Sequence, residues 1–162
     1  MENDSMTASS TDRIDKEIYL NASIDRVWEA LTDYKQFSQW FGVTLESSFE
    51  PGQVSKGILT HACSDHANGL EIAFAVQKIQ PKHYFSYQWH PYAVDLSVDY
   101  DKEAMTLVEF KLEAEGDGTL LKVTESGFDQ LPAHRRDEAL RMNTGGWEHQ
   151  LGNICDYVSK NA

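Results

Sequence analysis

The sequence predicts an α+β domain in which a curved antiparallel sheet of about six or seven strands wraps one long C-terminal helix. An apolar stripe between residues 132 and 158 indicates this helix; its members, spaced by seven, four, three and four residues, are Leu140, Trp147, Leu151, Ile154 and Val158. Most of the chain upstream alternates between apolar and polar residues, which is typical of strands. Because one long helix must cover the whole sheet, we expect any function to lie in the space between them.

The chain begins with a polar stretch that precedes the first predicted strand. Residues 1–12 are rich in Ser, Thr, Asp and Asn, which predicts a disordered tail. Residues 13–162 are then expected to form a single domain, since they contain neither internal repeats nor a linker. Alternation over residues 14–20 predicts that this domain starts with a strand.

Two short amphipathic helices are predicted after this strand. Ser23 is a favourable N-cap, and apolar residues at i, i+3, i+4 and i+7 extend a helix from it to near Asp33. Aromatic residues recur at helical spacing from Tyr34 to Phe41, and Gly42 is a natural end for this second helix. The other alternating segments predict strands at residues 43–49, 57–64, 70–77, 85–90, 106–112 and 121–125.

Two features of the long helix constrain its geometry. Pro132 suits the first helical position, where its missing N–H costs nothing, and Asp129 or Gln130 could cap the helix just before it. Gly145 and Gly146 lie in the middle, where each glycine costs about 1 kcal/mol relative to alanine. We therefore expect the helix to break at this pair, or a neighbour to pack closely against its backbone there.

Composition argues against several classes of partner. With 14 Lys and Arg against 26 Asp and Glu, the net charge is −12, which disfavours nucleic acid and anionic membrane surfaces. No apolar run approaches the ~20 residues that span a bilayer. Cys63 and Cys155 lie far apart without CxxC spacing, as expected of reduced thiols, so the sequence predicts a cytoplasmic protein.

Glu125 is the most informative candidate for chemistry. It shares strand parity with Leu121 and Val123, so we expect all three side chains to face the helix. A carboxylate facing an apolar interior must be partnered or have a raised pKa. Two interpretations stay open. Glu125 is hydrogen-bonded to backbone or to a tyrosine and holds the strand end, or it polarises a ligand or acts as an acid or base.

Aromatic side chains form the second candidate set. Tyr87 and Trp89 share strand parity with Phe85, which predicts an inward-facing wall with a polar group, suited to a planar or aliphatic ligand. The alternative is an ordinary aromatic core. Together with Glu125, the predicted ligand-binding residues are Trp40, Phe41, Phe74, Tyr87, Trp89, Phe128, Trp147 and Leu151.

The sequence gives little support for a metal or a cofactor, and we predict neither. His61, Cys63, Asp65 and His66 are of the types that bind zinc, but their spacing matches no standard ligand knuckle. Alternate residues on a strand are also ~6–7 Å apart, which is too wide for one ion without bending. Motifs for nucleophile elbows, zinc proteases, P-loops and dinucleotide-binding turns are absent from the sequence.

Several short motifs, in the order of these elements, resemble those of a known superfamily. They are Val27-Trp28-Glu29-Ala30-Leu31-Thr32-Asp33, Gln39-Trp40-Phe41-Gly42, Phe85-Ser86-Tyr87-Gln88-Trp89, Gly118-Thr119-Leu120-Leu121, Glu125-Ser126-Gly127-Phe128 and Gly145-Gly146-Trp147. Together they resemble the START-like superfamily, also called SRPBCC, with its polyketide-cyclase-type helix-grip fold. Within it, residues 18–158 are most similar to the family of homologues of the activator of the heat shock protein 90 ATPase.

The resemblance implies a helix-grip fold and leaves three functions open. The first is binding of a small hydrophobic or aromatic molecule between sheet and helix, with Glu125 and Tyr87 orienting its polar end. The second is a cyclase- or dehydrase-like enzyme in which Glu125 is the acid or base and Tyr87 a hydrogen-bond donor. The third is a co-chaperone-like module of the stress response that binds a chaperone partner through its surface. A homodimer is compatible with each of them.

The three functions predict different effects of mutation. If Ala73 lines the cavity, Ala73→Phe should fill it and remove ligand uptake. In an enzyme, Glu125→Gln should leave binding intact and abolish turnover. In a protein-interaction module neither change should matter, whereas changes of surface charge should.

Overall fold

The computed structural model describes residues 12–60, 69–91 and 102–160, and these contain seven strands and three α-helices. Apart from Asp12, the predicted N-terminal tail lies outside these ranges. The strands are β1 (Arg13–Leu20), β2 (Val43–Leu45), β3 (Val54–Leu59), β4 (Glu71–Gln80), β5 (Tyr84–Trp89), β6 (Thr106–Glu115) and β7 (Gly118–Ser126). The helices are α1 (Ile24–Thr32), α2 (Tyr34–Phe41) and α3 (Ala133–Lys160), with a 3₁₀ turn at Phe128–Gln130 before α3.

The strands form one antiparallel sheet in the order β1-β7-β6-β5-β4-β3-β2. Consecutive strands pair from β2 to β7, and β1 completes the sheet by pairing with β7, where Ile14 lies opposite Glu125. A register shift between Val76 and Lys78 interrupts the pairing of β4 with β5, and such irregularities bend a strand. The predicted α+β helix-grip architecture, a curved sheet around a long C-terminal helix, is confirmed.

Several strand predictions were wrong in their boundaries. The strand predicted at 43–49 ends at Leu45, and the strand predicted at 57–64 begins at Val54. Beyond β2 the residues Glu46, Ser47 and Ser48 are all exposed, although the Glu46 N–H still donates to the Lys56 carbonyl of β3 at 2.9 Å. Alternation alone therefore overestimates the length of β2. The last residues of the second prediction lie outside the described ranges.

One face of the sheet is apolar and packs against the helices. Buried apolar strand residues on this inner face include Ile14, Leu20, Phe74, Val76, Phe85, Tyr87, Trp89, Val108, Phe110, Leu112, Leu121 and Val123. The outer face carries polar pairs between strands. On it, the Tyr84 hydroxyl donates to Glu109 at 2.5 Å and the Thr124 hydroxyl to Asp15 at 2.8 Å.

The two short helices begin and end as predicted. The Ser23 side chain accepts a hydrogen bond from a backbone N–H in the first turn of α1. Asp33 lies between the helices and serves both, because its N–H donates to the Glu29 carbonyl while its carboxylate accepts from the Lys35 N–H. Gly42 ends α2 in the left-handed conformation, with φ of 86°.

The predicted apolar stripe of α3 faces the core. Its buried members are Trp147, Leu151, Ile154 and Val158, and Leu140 is half-buried. The predicted cap is wrong, because Asp129 and Gln130 belong to the preceding 3₁₀ turn and α3 begins at Ala133. Although α3 has 28 residues, neither it nor another helix of the described ranges has the length and hydropathy needed to cross a membrane.

Both expectations for the glycine pair were also wrong. α3 runs without a break through Gly145 and Gly146. No described heavy atom lies within 4 Å of a Cβ built on either residue, so nothing packs closely there. The helix holds because Asn143 and Trp147, on either side of the pair, are bonded to the sheet. Tertiary contacts of this kind outweigh the low helix propensity of glycine.

Candidate functional site

Glu125 lies on the inner face of the sheet, as strand parity predicts. The register places Tyr87 of β5, Val108 of β6 and Glu125 of β7 opposite one another in one row. All three side chains are fully buried. Neighbouring strands are ~4.8 Å apart, so the backbones of Tyr87 and Glu125 are separated by about 10 Å. The concave curvature turns their side chains towards each other.

Four side chains donate hydrogen bonds to the Glu125 carboxylate. Trp89 Nε1 of β5 and Thr106 Oγ1 of β6 donate to Oε2 at 2.7 and 2.5 Å. From α3, Trp147 Nε1 donates to Oε1 at 2.8 Å, and Asn143 Nδ2 lies 3.0 Å from Oε1 and 3.3 Å from Oε2. Asn143 and Trp147 are one helical turn apart, so they reach the carboxylate together. Glu125 therefore ties α3 to three strands of the sheet.

The environment of Glu125 combines burial with uncharged donors. Burial raises the pKa of the Glu125 carboxyl, and the four hydrogen bonds oppose this rise. Among the described residues no cation pairs with the carboxylate. The contacts favour the hydrogen-bonded interpretation over the acid–base one, because an acid or base needs an oxygen that a substrate can reach. The partners are two indoles, a hydroxyl and an amide, instead of the predicted backbone or tyrosine.

A cluster of aromatic rings lies in the interior next to Glu125. Ring centroids of neighbouring members are separated by 4.8 to 6.4 Å, mostly in edge-to-face or tilted arrangements. Trp89 is central, with its centroid 5.9 Å from that of Trp147 and 5.4 Å from that of Tyr87. The members are Phe37, Trp40, Phe41, Phe49, Phe74, Phe85, Tyr87, Trp89, Phe110 and Trp147.

The Tyr87 hydroxyl is buried without a hydrogen-bond partner in the described part of the protein. Its ring packs edge-on against Phe74, with centroids 4.9 Å apart. Burial, and to a smaller extent the charge of Glu125, raise the pKa of Tyr87 well above its usual value, so the hydroxyl stays protonated at neutral pH. Leaving such a group unpaired costs about 1–3 kcal/mol, and we expect a ligand or a water molecule to accept its hydrogen bond.

The structure brings together seven of the nine predicted ligand-binding residues through ring contacts or bonds to Glu125. They are Trp40, Phe41, Phe74, Tyr87, Trp89, Glu125 and Trp147. Trp40 lies at the edge, since its indole donates to the Ala30 carbonyl at 2.7 Å. Phe128 and Leu151 are buried in the core but lie outside this set of contacts. Their assignment to a ligand site stays a prediction.

Two of the four donors to Glu125 were missed by the sequence analysis. Thr106 shares the inner face of β6 with Val108, and this parity was the available signal. Asn143 lies four residues before Trp147, which places both on one side of α3. That spacing shows only that Asn143 and Trp147 share one side of α3. The sequence does not indicate that this side faces a carboxylate.

Gly146 has free space beside its backbone and is not fully exposed. Gln150 donates to the Phe41 carbonyl at 2.8 Å, so this side of α3 faces the end of α2. Gly146 is one turn earlier on the same side and is half-buried, with no described heavy atom within 4 Å of a Cβ built on it. Ala73, in contrast, is exposed on the outer face of β4, and its neighbour Phe74 points inward. Ala73→Phe therefore cannot fill the interior, and that expectation is corrected.

Within residues 12–60, 69–91 and 102–160, no group of three or more His, Cys, Asp or Glu side chains could hold a metal ion. His61, Cys63, Asp65 and His66, considered above as ligands, lie outside the described ranges. Cys155 of α3 is a half-buried free thiol.

Solved structures with the same fold come from several bacteria. A protein from Arthrobacter aurescens has a TM-score of 0.74 at 15% identity, with 98% of this chain and 90% of that chain covered. The Aha1 dimer from Colwellia psychrerythraea has a TM-score of 0.66 at 18% identity, with coverage of 90% and 95%. DynU16, from the dynemicin biosynthetic locus, has a TM-score of 0.68 at 21% identity, and 93% of this chain covers 48% of it. This chain therefore spans about half the length of DynU16. A comparison with curated proteins found no match.

The family comparison covers most of the chain. Residues 21–159 match the family described as "Activator of Hsp90 ATPase homolog 1-like protein". The matched range includes all three helices and strands β2 to β7, so the elements that build the aromatic cluster and the surroundings of Glu125 all lie within it. The resemblance stated from the sequence motifs is thereby confirmed. The chain belongs to the family of activator of Hsp90 ATPase homolog 1-like proteins, within the SRPBCC superfamily of helix-grip domains.

Proposed function

We propose that the protein binds a small hydrophobic or aromatic molecule between the sheet and α3. The observation that carries this proposal is the Tyr87 hydroxyl, a buried and protonated donor that has no acceptor among the described residues. A ligand with one polar group would accept this hydrogen bond, while the surrounding rings bury the apolar remainder. Apolar walls with few, well-placed polar groups are the usual composition of small-molecule sites.

In this proposal Glu125 and Tyr87 have different tasks. Both carboxylate oxygens of Glu125 already accept from side chains, so Glu125 positions the indoles of Trp89 and Trp147 and does not contact the ligand. Tyr87 supplies a polar group that has no hydrogen-bond partner among the described residues and is available to a ligand. The sequence analysis had given both residues the task of orienting the ligand.

We place the entry to the site beside Gly146, on the side of α3 that faces the end of α2. A large side chain at Gly146 would extend into the space between the helix and its neighbours. Gly145 is exposed. It lies about 100° around the helix from Gly146, because the two residues are consecutive. The glycine pair therefore offers a matched set of substitutions, one directed at the proposed entry and one directed at solvent.

Gly146→Phe is expected to weaken the binding of naphthalene, an apolar probe of suitable size, by at least about tenfold, equivalent to about 1.4 kcal/mol. The physical reason is steric, because the new ring occupies the proposed entry. Gly145→Phe adds the same apolar side chain and removes the same helix-weakening glycine, and it should bind naphthalene as the wild type does. Isothermal titration calorimetry on the full chain measures both. Equal affinities of all three proteins would contradict the proposed entry.

The catalytic alternative is supported by one observation, the raised pKa of Glu125. As a cyclase- or dehydrase-like acid or base, Glu125 would have to release one of its donors to reach a substrate. Glu125→Gln would then abolish turnover of a carbonyl substrate while ligand binding persists. If the protein only binds a ligand, Glu125→Gln would change binding by shifting the indoles of Trp89 and Trp147.

A protein partner is the second alternative, and the family description favours it. A co-chaperone-like module would bind a chaperone through its surface and would be insensitive to Gly146→Phe. The Aha1 neighbour from Colwellia psychrerythraea is a dimer, which supports the inference that this chain forms a homodimer as well. We further infer a cytoplasmic location, on the strength of two cysteines without disulfide spacing.

A further inference from the structure

We infer that the site selects uncharged molecules that carry a hydrogen-bond acceptor and rejects anionic molecules of the same shape. This inference rests on the proposed function, since it specifies which ligands the same site takes. Two features carry it: the Glu125 carboxylate, which is bonded only to uncharged donors, and the unpaired hydroxyl of Tyr87 in the same row of the sheet.

The negative charge of Glu125 has no positive counterpart among the described residues. Its four donors are two indole N–H groups, a hydroxyl and a primary amide, all of them neutral. Three of the four donor atoms, in Trp89, Trp147 and Asn143, cannot accept a hydrogen bond, so the arrangement is built for the ionised carboxylate. A buried charge that is solvated by dipoles but not neutralised leaves a negative potential in the interior.

This potential acts on whatever lies next to Tyr87. Tyr87 and Glu125 are separated only by Val108 in the row across β5, β6 and β7, and the charge of Glu125 contributes to the raised pKa of Tyr87. A second negative charge bound to the Tyr87 hydroxyl would lie in the same poorly screened interior. We expect repulsion between these two charges in a poorly screened interior to outweigh the gain from a stronger acceptor.

The hydroxyl itself requires an acceptor, because it stays protonated and is buried. A ketone, ether or ester oxygen satisfies it without adding charge. A protonated amine would be attracted by the same negative potential, but it offers no acceptor to the Tyr87 hydroxyl, and both oxygens of Glu125 already accept hydrogen bonds. An uncharged aromatic molecule with a carbonyl or ether oxygen therefore fits both residues.

Three probes that share a naphthalene ring test this selectivity on the full chain, with isothermal titration calorimetry as the readout. They are acetylnaphthalene, naphthalene and naphthoate. We expect acetylnaphthalene to bind at least about tenfold more tightly than naphthoate, and more tightly than naphthalene. Tyr87→Phe should bring the ratio of acetylnaphthalene to naphthalene affinity close to one. Glu125→Gln should reduce the discrimination against naphthoate.

Tyr84→Phe is the matched control, because Tyr84 lies on the outer face of the same strand and its hydroxyl donates to Glu109. It should leave the order of the three affinities unchanged. If Glu125→Gln does not fold, the affinities of the wild type and of Tyr87→Phe for the three probes test the inference. Naphthoate binding as tightly as acetylnaphthalene, or an unchanged ratio in Tyr87→Phe, would overturn the selectivity and leave the proposed binding function standing. If none of the three probes binds, the binding function itself is overturned.

Discussion

Replacing Glu125 with leucine is expected to lower the free energy of unfolding by more than about 4 kcal/mol, because four donors lose their only shared acceptor and each buried unpaired donor costs about 1–3 kcal/mol. The donors come from β5, β6 and α3, so the loss also detaches the helix from the sheet at this point. Chemical denaturation followed by far-ultraviolet circular dichroism measures the change without depending on the displaced tryptophans.

Glu113→Leu is the control for this substitution. Glu113 lies on the outer face of β6, is exposed and faces Lys122 at 3.5 Å, so its replacement should change stability by no more than about 0.5 kcal/mol. Should Glu125→Leu fail to fold, Glu125→Gln provides the measurement, since it keeps one acceptor oxygen and should cost about 2 kcal/mol. A Glu125→Leu protein that unfolds at the same denaturant concentration as the wild type would show that the four bonds contribute little.

The pH dependence of stability gives an independent test of the Glu125 environment. Because burial raises the pKa of Glu125 above its unfolded value, the native state binds more protons between the two pKa values than the unfolded state does. From this group alone, stability therefore falls as pH rises through that window and is regained as pH falls. Relative to Glu125→Gln, which cannot titrate, the wild type should gain stability on acidification from about pH 8 to about pH 4. A relative loss on acidification would mean that the hydrogen bonds outweigh burial.

Strand parity was sufficient to orient the site. The alternation in β5 and β7 places Tyr87, Trp89 and Glu125 on one face, and the inner face of the sheet is where they lie. The stripe on α3 likewise predicts Trp147 on the side that meets them. These inferences succeed because they depend only on the side-chain period of each strand or helix and on which of its faces is buried.

What parity does not provide is the distance across the fold. Whether the Glu125 carboxylate is fully hydrogen-bonded or free to bind depends on where α3 crosses the sheet. That crossing brings Asn143 within hydrogen-bond distance of Glu125, which the sequence position of Asn143 does not indicate. The glycine pair shows the same limit. Intrinsic propensity predicted a break at Gly145 and Gly146 or a neighbour packed closely against them, whereas anchoring on both sides keeps the helix continuous.

The ion pair of Arg135 with Glu103 is expected to give the other large effect on stability. Both side chains are only 10% exposed, and the Arg135 Nη2 atom lies 2.7 Å from Glu103 Oε1 and 3.2 Å from the Pro91 carbonyl. Arg135→Ala should lower the free energy of unfolding by about 3–5 kcal/mol, because Glu103 is left buried without this partner. Chemical denaturation of the full chain measures it.

Arg136, the next residue, supplies the control, and a double substitution of Arg135 and Glu103 tests the physical cause. Arg136 is more exposed and lies 4.0 Å from Asp129, so Arg136→Ala should cost no more than about 1 kcal/mol. Replacing both Arg135 and Glu103 with leucine should recover much of the loss, since the penalty comes from the unpaired buried charge. If the double variant is as unstable as Arg135→Ala, the loss comes instead from the other contacts of Arg135, among them its bond to the Pro91 carbonyl. That bond links the first turn of α3 to the backbone that follows β5, the strand that also carries Tyr87 and Trp89.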